Sequence, residues 1–390
     1  MLDPNQRNLY MDEFCPPAGY QTHVVIGTTF SLDLTSLLLA PVNMMKWAYE
    51  DQEQLLKDPV VVLEALKNTA NKLTLFCQQG RILVPKVDSR LYSYLESSVI
   101  EVQPPSGKGV FHPKVWVLRF ITNDGPVIYR VVYLSRNLTF DRSWDTMLTL
   151  EVELDNSRKN AFSRNRPLAD FVASLPGLAV RPVTERIQQH IDLVAREVLR
   201  VRFVAPQGFD KEFSFIPLGI PGYKKPPVFD RHTRLLIMSP FFSPQQLQPL
   251  QQGKDNLLIT RAESLDALSD QEYEYWLNGV KVMVLEDTGN QSNEERVYEN
   301  TAFTSNQDEV FSGLHAKLYI SEEGWNARLI TGSINATDAA MRGFNVEFAV
   351  ELTGRRSSIG INKLLGDDTA KEGFLCNAGT LSAKTWDGAR

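Results

Sequence analysis

The sequence predicts an α/β fold that arose by internal duplication, and three observations support this. A His-x-Lys pattern occurs twice, at His112–Lys114 and at His315–Lys317, although the chain of 390 residues has only five histidines. An apolar β-like run and then a turn that contains Ser and Asn follow each copy. Apolar runs of strand length, alternating with helical patterns, recur in the same order in both halves, which is typical of a duplicated α/β chain.

The matching strands can be paired one by one along the chain. Four pairs of apolar runs correspond: 24–27 with 235–238, 73–77 with 257–260, 99–102 with 280–285, and 148–154 with 346–352. Two further runs, 115–118 and 318–320, follow the His-x-Lys copies directly. Short apolar runs of this length are typical of buried strands.

A helix and a proline-rich segment join the two halves. Residues 184–202 are predicted to be helical because Ile187, Ile191, Val194 and Val198 form one apolar stripe, and Thr184 is a suitable N-cap. Prolines recur between 206 and 227 and predict an irregular connector. The predicted domains are therefore an N-terminal lobe at 1–205, a connector at 206–231 and a C-terminal lobe at 232–390.

The composition is that of an ordinary soluble protein. Hydrophobic residues make up 43% of the chain and charged residues 23%. No segment approaches the roughly 20 apolar residues that a membrane span needs. The N-terminal residues 1–17 lack the basic-then-apolar order of a signal peptide. Three widely separated cysteines argue against a disulfide framework, so a cytoplasmic location is predicted.

The net charge of −6 requires that any positive field for nucleic acid be local. Two candidate basic groups are Arg158, Lys159, Arg164 and Arg166 in one polar loop and Lys224–Lys225 in the connector. The simpler interpretation of both groups is a solvated loop.

The two motifs contain the residues that phosphodiester chemistry needs. Alternate side chains of a strand share a face, so each His is expected to point the same way as its Lys. Asn137 and Asn335 end the next strands and are expected to return beside those pairs. Ser135 and Ser333 precede them, and Thr139 and Thr337 can start short helices whose N–H groups would bind phosphate.

One active site built from two half-sites follows from this pattern. Two lysines and two asparagine amides can neutralise a phosphodiester. One neutral imidazole can attack phosphorus, and the other can protonate the leaving oxygen and later activate water. No metal ion and no cofactor is needed for these roles, because the lysines supply the positive charge.

At these residues the chain resembles the phospholipase D superfamily, whose motif is His-x-Lys, a downstream Asp, and then Gly-Ser-x-Asn. The residues that match are His112, Lys114, Ser135 and Asn137 in the first half, and His315, Lys317, Gly332, Ser333 and Asn335 in the second, followed by Asn345-x-Glu347. The resemblance covers nearly the whole chain. It implies a duplicated phospholipase D-like fold, with two mixed-sheet lobes packed as an intrachain pseudo-dimer and the active site at the seam.

The chain departs from the family motif at the Asp, which is Arg119 in the first copy and Glu322 in the second. This departure is similar to the tyrosyl-DNA phosphodiesterase branch and to nuclease modules associated with bacterial helicase and defence systems. The resemblance therefore implies a metal-independent nuclease that acts on DNA through a phosphohistidine, with a helicase or a defence complex as partner. By the same analogy His112 is the nucleophile and His315 the general acid.

Two acidic residues, Asp145 and Glu347, are predicted to orient the histidines; the alternative is a surface carboxylate at a strand edge.

Two other functions stay open. A phospholipase or phospholipid transferase would need an interfacial helix or an apolar loop, and neither is evident. A non-catalytic scaffold is favoured by Arg119 and the acidic charge, but retention of both His, both Lys and both Asn argues against it.

Overall fold

The structure is a computed structural model that describes residues 10–45, 59–83, 85, 90–139, 142–155, 162–210, 212–229, 231–285, 312–365 and 381–382. The first lobe contains strands β1 (Gln21–Thr29), β2 (Leu32–Asp33), β3 (Leu73–Gln78), β4 (Ile82–Leu83), β5 (Val99–Val102), β6 (Val115–Ile121), β7 (Ile128–Leu134), β8 (Arg142–Trp144) and β9 (Met147–Glu153). Six of them form a mixed sheet in the order β5-β3-β1-β6-β7-β9. In this sheet β5, β3 and β1 are parallel, and the other neighbours are antiparallel.

The second lobe repeats this topology. Its strands are β10 (Phe213–Leu218), β11 (Arg234–Met238), β12 (Leu257–Thr260), β13 (Lys281–Leu285), β14 (Ser312–Leu314), β15 (Leu318–Glu323), β16 (Asn326–Gly332), β17 (Glu347–Arg355) and β18 (Leu381–Ser382). The eight-stranded sheet has the order β10-β17-β16-β15-β11-β12-β13-β18. Without the outer strands β10 and β18 this is the strand order of the first lobe. The predicted duplicated α/β fold with two mixed-sheet lobes is confirmed.

Helices flank the two sheets. They are α1 (Leu34–Met45), α2 (Pro59–Thr69), α3 (Arg166–Leu178), α4 (Glu185–Val198), α5 (Ala262–Asp266), α6 (Asp270–Leu277), α7 (Asp338–Met341), α8 (Arg356–Ile359) and α9 (Ile361–Leu365). Short 3-10 helices lie at Tyr10–Phe14, Arg90–Tyr94, Glu96–Ser98, Ser163–Asn165 and Pro244–Gln251.

The predicted inter-lobe helix is α4. Its N-cap Thr184 accepts the N–H of Ile187, and its four stripe residues are fully buried. The helix ends at Val198, earlier than the sequence pattern predicts, because Val201 forms a β-bridge with Leu154 and draws the chain into an extended conformation.

The two lobes share one apolar core. Tyr133 on β7 stacks on Phe348 on β17, with ring centroids 5.5 Å apart, and Phe171 on α3 meets the edge of the same Phe348 ring at 4.8 Å. Burial of large aromatic rings contributes strongly to stability, so the lobes are expected to fold as one unit. A second apolar cluster lies on the other face of each sheet.

The predicted connector 206–231 is not irregular throughout. It contains β10, which pairs antiparallel with β17 along the edge of the second sheet. Pro217 is tolerated there because an edge strand can lack one N–H donor. The domain boundaries at 205 and 231 stay predictions.

Candidate active site

The two His-x-Lys segments lie immediately before β6 and β15, so the prediction that a strand contains them was wrong. That each His points the same way as its Lys stays a prediction. Each segment leaves its own sheet to pair with the opposite lobe. The His112 N–H donates to the Val346 carbonyl and the His315 N–H to the Trp144 carbonyl, both at 2.9 Å. The sheet ladders can therefore begin only after each Lys.

The lysines turn back on their own motifs. The Nζ of Lys114 donates to the His112 carbonyl at 2.8 Å, and the Nζ of Lys317 donates to the His315 carbonyl at 2.8 Å. Both lysine side chains are almost completely buried, at 1% exposure. Buried ammonium groups are costly unless partners or a ligand satisfy them.

The half-motifs converge across the seam between the lobes. His112 of the first lobe places its Nδ1 3.0 Å from Glu347 Oε2 and 3.1 Å from the Ser333 carbonyl, both in the second lobe. In the other direction, Lys317 Nζ donates to the Ser135 carbonyl of the first lobe at 3.4 Å. One site therefore receives residues from both copies of the repeat.

Glu347 is the centre of a buried hydrogen-bond network. Its carboxylate is fully buried and accepts hydrogen bonds from Ser333 Oγ and, at 3.2 Å, from Asn345 Nδ2. The Oδ1 of Asn345 in turn accepts the Val110 N–H of the first lobe at 3.0 Å. The alternative of a surface carboxylate at a strand edge does not describe Glu347.

The network fixes the proton on His112. Both groups that face Nδ1, the Glu347 carboxylate and the Ser333 carbonyl, are acceptors. Nδ1 must therefore carry a proton, and the neutral ring has its lone pair on Nε2. The ring is also held in place by Phe30, whose centroid lies 5.4 Å from that of His112 in an edge arrangement.

Asp145 occupies the place in the first lobe that Glu347 has in the second. It accepts a hydrogen bond from Ser135 Oγ at 3.1 Å, and its Oδ2 lies 3.7 Å from Arg136 Nε. Ser135 Oγ also accepts the Thr146 N–H, as Ser333 Oγ accepts the Phe348 N–H. The internal repeat thus extends to individual hydrogen bonds.

Asn137 and Asn335 follow β7 and β16, the second strands of the two antiparallel hairpins. They are only 6% and 7% exposed. Within the part of the chain that the structure describes, neither buried Oδ1 has a hydrogen-bond partner. A buried polar atom without a protein partner is a group that a ligand can satisfy.

In the second lobe, backbone donors of the predicted helix start are occupied by side chains. Thr337 does cap α7, but the N–H groups of Ala336 and Asp338 donate to Ser239 Oγ and Ser243 Oγ. In the first lobe, β8 begins soon after Thr139, and residues 140 and 141 lie outside the described part. In the described part of the second lobe, the N–H groups of Ala336 and Asp338 therefore hold the turn together rather than facing a phosphate.

Gly332 is required by the close approach of β17. Its φ of +148° disfavours other residues, and a Cβ would lie 2.4 Å from the Phe348 carbonyl oxygen. This contact sets Ser333 at hydrogen-bonding distance from Glu347.

Three supporting residues were not found by sequence reasoning. Gln78 Oε1 accepts the Phe111 N–H at 2.6 Å, and Arg261 Nε donates to the Leu314 carbonyl at 2.9 Å, so each braces the residue before a motif His. The only sequence signal is their place at the ends of the matching strands β3 and β12.

Tyr319 is the third of these residues. It donates to the Ile334 carbonyl at 3.0 Å, between Ser333 and Asn335. Burial, with a further contribution from the charge of Glu347, raises the pKa of Tyr319, so the hydroxyl stays protonated and keeps its role as donor.

Arg119 and Glu322, which stand where the phospholipase D motif has Asp, have structural roles in this protein. Arg119 donates from Nε to Glu197 of α4 at 2.9 Å, and Tyr129 donates to the same carboxylate. Glu322 accepts the N–H of Ile361 at the start of α9 at 2.7 Å. Both therefore attach helices to the sheets.

The predicted basic groups differ in their surroundings. Arg164 donates to the Phe203 carbonyl and packs on the Phe213 ring, so it is a structural residue. Arg166 and Lys224–Lys225 are exposed, whereas Arg158 and Lys159 lie outside the described residues. In the described segments, no three His, Cys, Asp or Glu side chains are grouped as metal ligands, and no helix is long and apolar enough to cross a membrane.

Comparison with known proteins gives structural likenesses only. No family model matches the sequence, and none of the curated proteins compared with it matches. A yeast tyrosyl-DNA phosphodiesterase is similar at 12% identity and a TM-score of 0.49, over 90% of this chain and 85% of that one.

Two other solved structures are similar over smaller shares of their length or of this chain. A polyphosphate kinase from Porphyromonas gingivalis has 11% identity and a TM-score of 0.40, over 87% of this chain and 41% of its own. NucT from Helicobacter pylori has 16% identity and a TM-score of 0.20, over 30% of this chain and 67% of its own. The TM-scores of these three structures lie below 0.5, so the likenesses carry no argument about function.

Proposed function

We propose that the protein is a metal-independent phosphodiesterase, namely a nuclease that acts on DNA through a covalent phosphohistidine. The observation that carries this proposal is the seam itself. His112 of one lobe is oriented by Glu347 and Ser333 of the other, and Lys317 reaches back to Ser135. Together the two motifs supply two imidazoles, two ammonium groups and two amides, which are the groups that displacement at an anionic phosphorus needs.

In the first step, the lone pair on His112 Nε2 attacks phosphorus. A P–N bond forms while the bond from phosphorus to the leaving oxygen breaks. The positive charge that develops on the ring is stabilised by the carboxylate of Glu347, 3.0 Å from Nδ1. Protonated His315 gives its proton to the leaving oxygen, and Lys114 and Lys317 neutralise the non-bridging oxygens.

In the second step, neutral His315 takes a proton from water. The water oxygen attacks phosphorus, the P–N bond breaks, and His112 regains its lone pair. Histidine suits both roles because its ordinary pKa lies near neutrality. The two steps restore both histidines to their starting protonation states.

The proposal is tested by incubating the purified protein, with chelator, with labelled single- and double-stranded DNA, RNA and phospholipid vesicles. Cleavage of DNA by the wild type and none by His112→Ala is the expected result. Strict dependence on added magnesium would overturn the mechanism. Hydrolysis of the vesicle lipid alone would replace the nuclease with a phospholipase.

The order of the histidines has its own test. If His112 is the nucleophile, His315→Ala slows release of the covalent adduct and His112→Ala prevents its formation. The reverse pattern would exchange the two roles. A cytoplasmic location, a role in antiviral defence or repair, and a helicase or defence-complex partner stay predictions from the sequence.

A further inference from the structure

Each lobe places one arginine over a phenylalanine ring beside the active site. In the second lobe, the guanidinium carbon of Arg261 lies 5.1 Å from the centroid of Phe241. In the first lobe, the guanidinium carbon of Arg81 lies 5.5 Å from the centroid of Phe30. Both rings are buried, at 9% and 4% exposure, so each is a fixed platform for its arginine.

Arg261 is tied to the His315 half of the site. Its Nε donates to the carbonyl of Leu314, the residue directly before His315. The side chain is half-buried, and among the described residues no carboxylate forms an ion pair with it. Because Nε donates to Leu314 and one face of the guanidinium packs on the Phe241 ring, the edge that carries the two Nη groups is the part that can bind a ligand.

Arg81 is tied to the His112 half through Phe30. The Phe30 ring contacts the guanidinium of Arg81 and, by its edge, the imidazole of His112 at 5.4 Å between centroids. The backbone carbonyl of Arg81 accepts the Leu32 N–H, which fixes the position of the residue. Arg81 follows β3 and Arg261 follows β12, so both lie at the carboxyl ends of parallel strands, where α/β folds bind ligands.

The pairing register shows that Arg261 is an asymmetric feature of the repeat. Arg261 follows β12 where Gln78 ends β3, and both side chains brace the residue before a His. Gln78 braces Phe111 by accepting its N–H, whereas Arg261 braces Leu314 by donating to its carbonyl. The guanidinium at 261 adds a planar, charged fork, which suits a phosphate.

We propose that Arg81 and Arg261 bind the two phosphates that flank the scissile phosphodiester, one on each side of the seam. The substrate is then an internal stretch of a nucleic-acid strand that crosses from one lobe to the other, rather than an isolated diester. This inference rests on the proposed function. It also supplies the local positive charge that a protein with a net charge of −6 needs to bind a polyanion.

The test measures binding separately from turnover. In a His112→Ala background, Arg261→Gln and Arg81→Gln are each titrated with a dye-labelled single-stranded oligonucleotide at several salt concentrations, and Kd is followed by fluorescence anisotropy. Loss of one charge-assisted phosphate contact is expected to raise Kd about tenfold and to reduce the salt slope by about one. Arg261→Gln retains a side-chain NH2 donor and removes one partly buried hydrogen bond at most, so loss of folding is not the expected effect.

A matched control is Arg355→Gln, at the far end of β17, where the arginine donates to Asn326 on the surface. Its Kd and salt slope should stay at the parent value. Arg261→Lys, which keeps the charge and loses the fork, should restore part of the affinity. Unchanged Kd and slope in both glutamine variants would overturn the inference.

Turnover separates this inference from the proposed function. In the otherwise wild-type protein, Arg261→Gln should lower the ratio of kcat/KM for an oligonucleotide to that for a dinucleoside monophosphate, which has no flanking phosphates. An unchanged ratio would overturn the flanking contacts while leaving the nuclease in place. A wild type that hydrolyses neither substrate would overturn the proposed function, and the flanking contacts with it.

Discussion

Replacement of Glu347 by Gln should impair catalysis strongly while leaving the fold in place. The side chain is fully buried and accepts hydrogen bonds from His112, Ser333 and Asn345. Gln is nearly isosteric but has one acceptor atom and one donor atom. If the Gln oxygen faces His112, the Gln NH2 group must face Nδ2 of Asn345, which is also a donor. The Asn345 amide is not free to turn its oxygen to that position, because its Oδ1 accepts the Val110 N–H.

The expected magnitude follows from the distance between the charges. Glu347 Oε2 lies 3.0 Å from His112 Nδ1. At an effective dielectric constant of about 20, a full positive charge on the ring would gain about 5 kcal/mol from the carboxylate. With about half of that charge developed in the transition state, the loss is about 2–3 kcal/mol, or roughly 30- to 150-fold in kcat. The donor–donor contact at Asn345 should cost about 1–3 kcal/mol of stability.

The assay is hydrolysis of a chromogenic phosphodiester with chelator present, together with urea unfolding. Glu351→Gln is the matched control, because Glu351 lies on the same strand and pairs with Arg328 at the surface. It should keep the wild-type kcat. A folded Glu347→Gln protein with wild-type kcat would refute the role of this carboxylate in orienting and charging His112.

Three further changes have defined outcomes. Lys317→Ala should lower kcat by about 10²- to 10³-fold, as loss of one donor to the phosphate oxygens does, and unaltered kcat in the folded variant would exclude that role. Gly332→Ala should lower the free energy of unfolding by about 2–3 kcal/mol, because φ is +148° and Cβ would meet the Phe348 carbonyl. An unchanged midpoint of urea unfolding would contradict this. Burial, followed by the charge of Arg119, lowers the pKa of His23, so the folded state prefers the neutral ring. The stability that this group contributes is complete above the ordinary pKa of 6.5 and is lost as the pH falls towards the lower pKa of the folded state. His23→Gln should therefore flatten that part of the plot of the free energy of unfolding against pH. An equally steep plot would refute the assignment.

Much of the fold could be predicted because its determinants are local and repeated. Matching apolar runs such as 257–260 coincide with strands, and the buried stripe from Ile187 to Val198 lies on α4 as its spacing indicates. Period and apolarity depend on neighbouring residues alone, so one sequence is enough to recognise them.

The parts that could not be predicted depend on contacts between the lobes. His112 and His315 leave their ladders because Val346 and Trp144 of the opposite lobe supply carbonyl acceptors. Gln78 gives no sequence signal beyond its place at the end of β3, and its role appears only when that strand end is placed beside Phe111. Such contacts join residues far apart in the chain, and no local spacing encodes them.

The central claim is that both copies of the motif serve one active site, and the kcat of the two single histidine variants tests it most directly. His112→Ala and His315→Ala should each lower the steady-state hydrolysis of DNA, with chelator, to the background rate. If each variant instead kept about half of the wild-type rate, the two copies would be independent sites, and the account of a single site at the seam would be wrong.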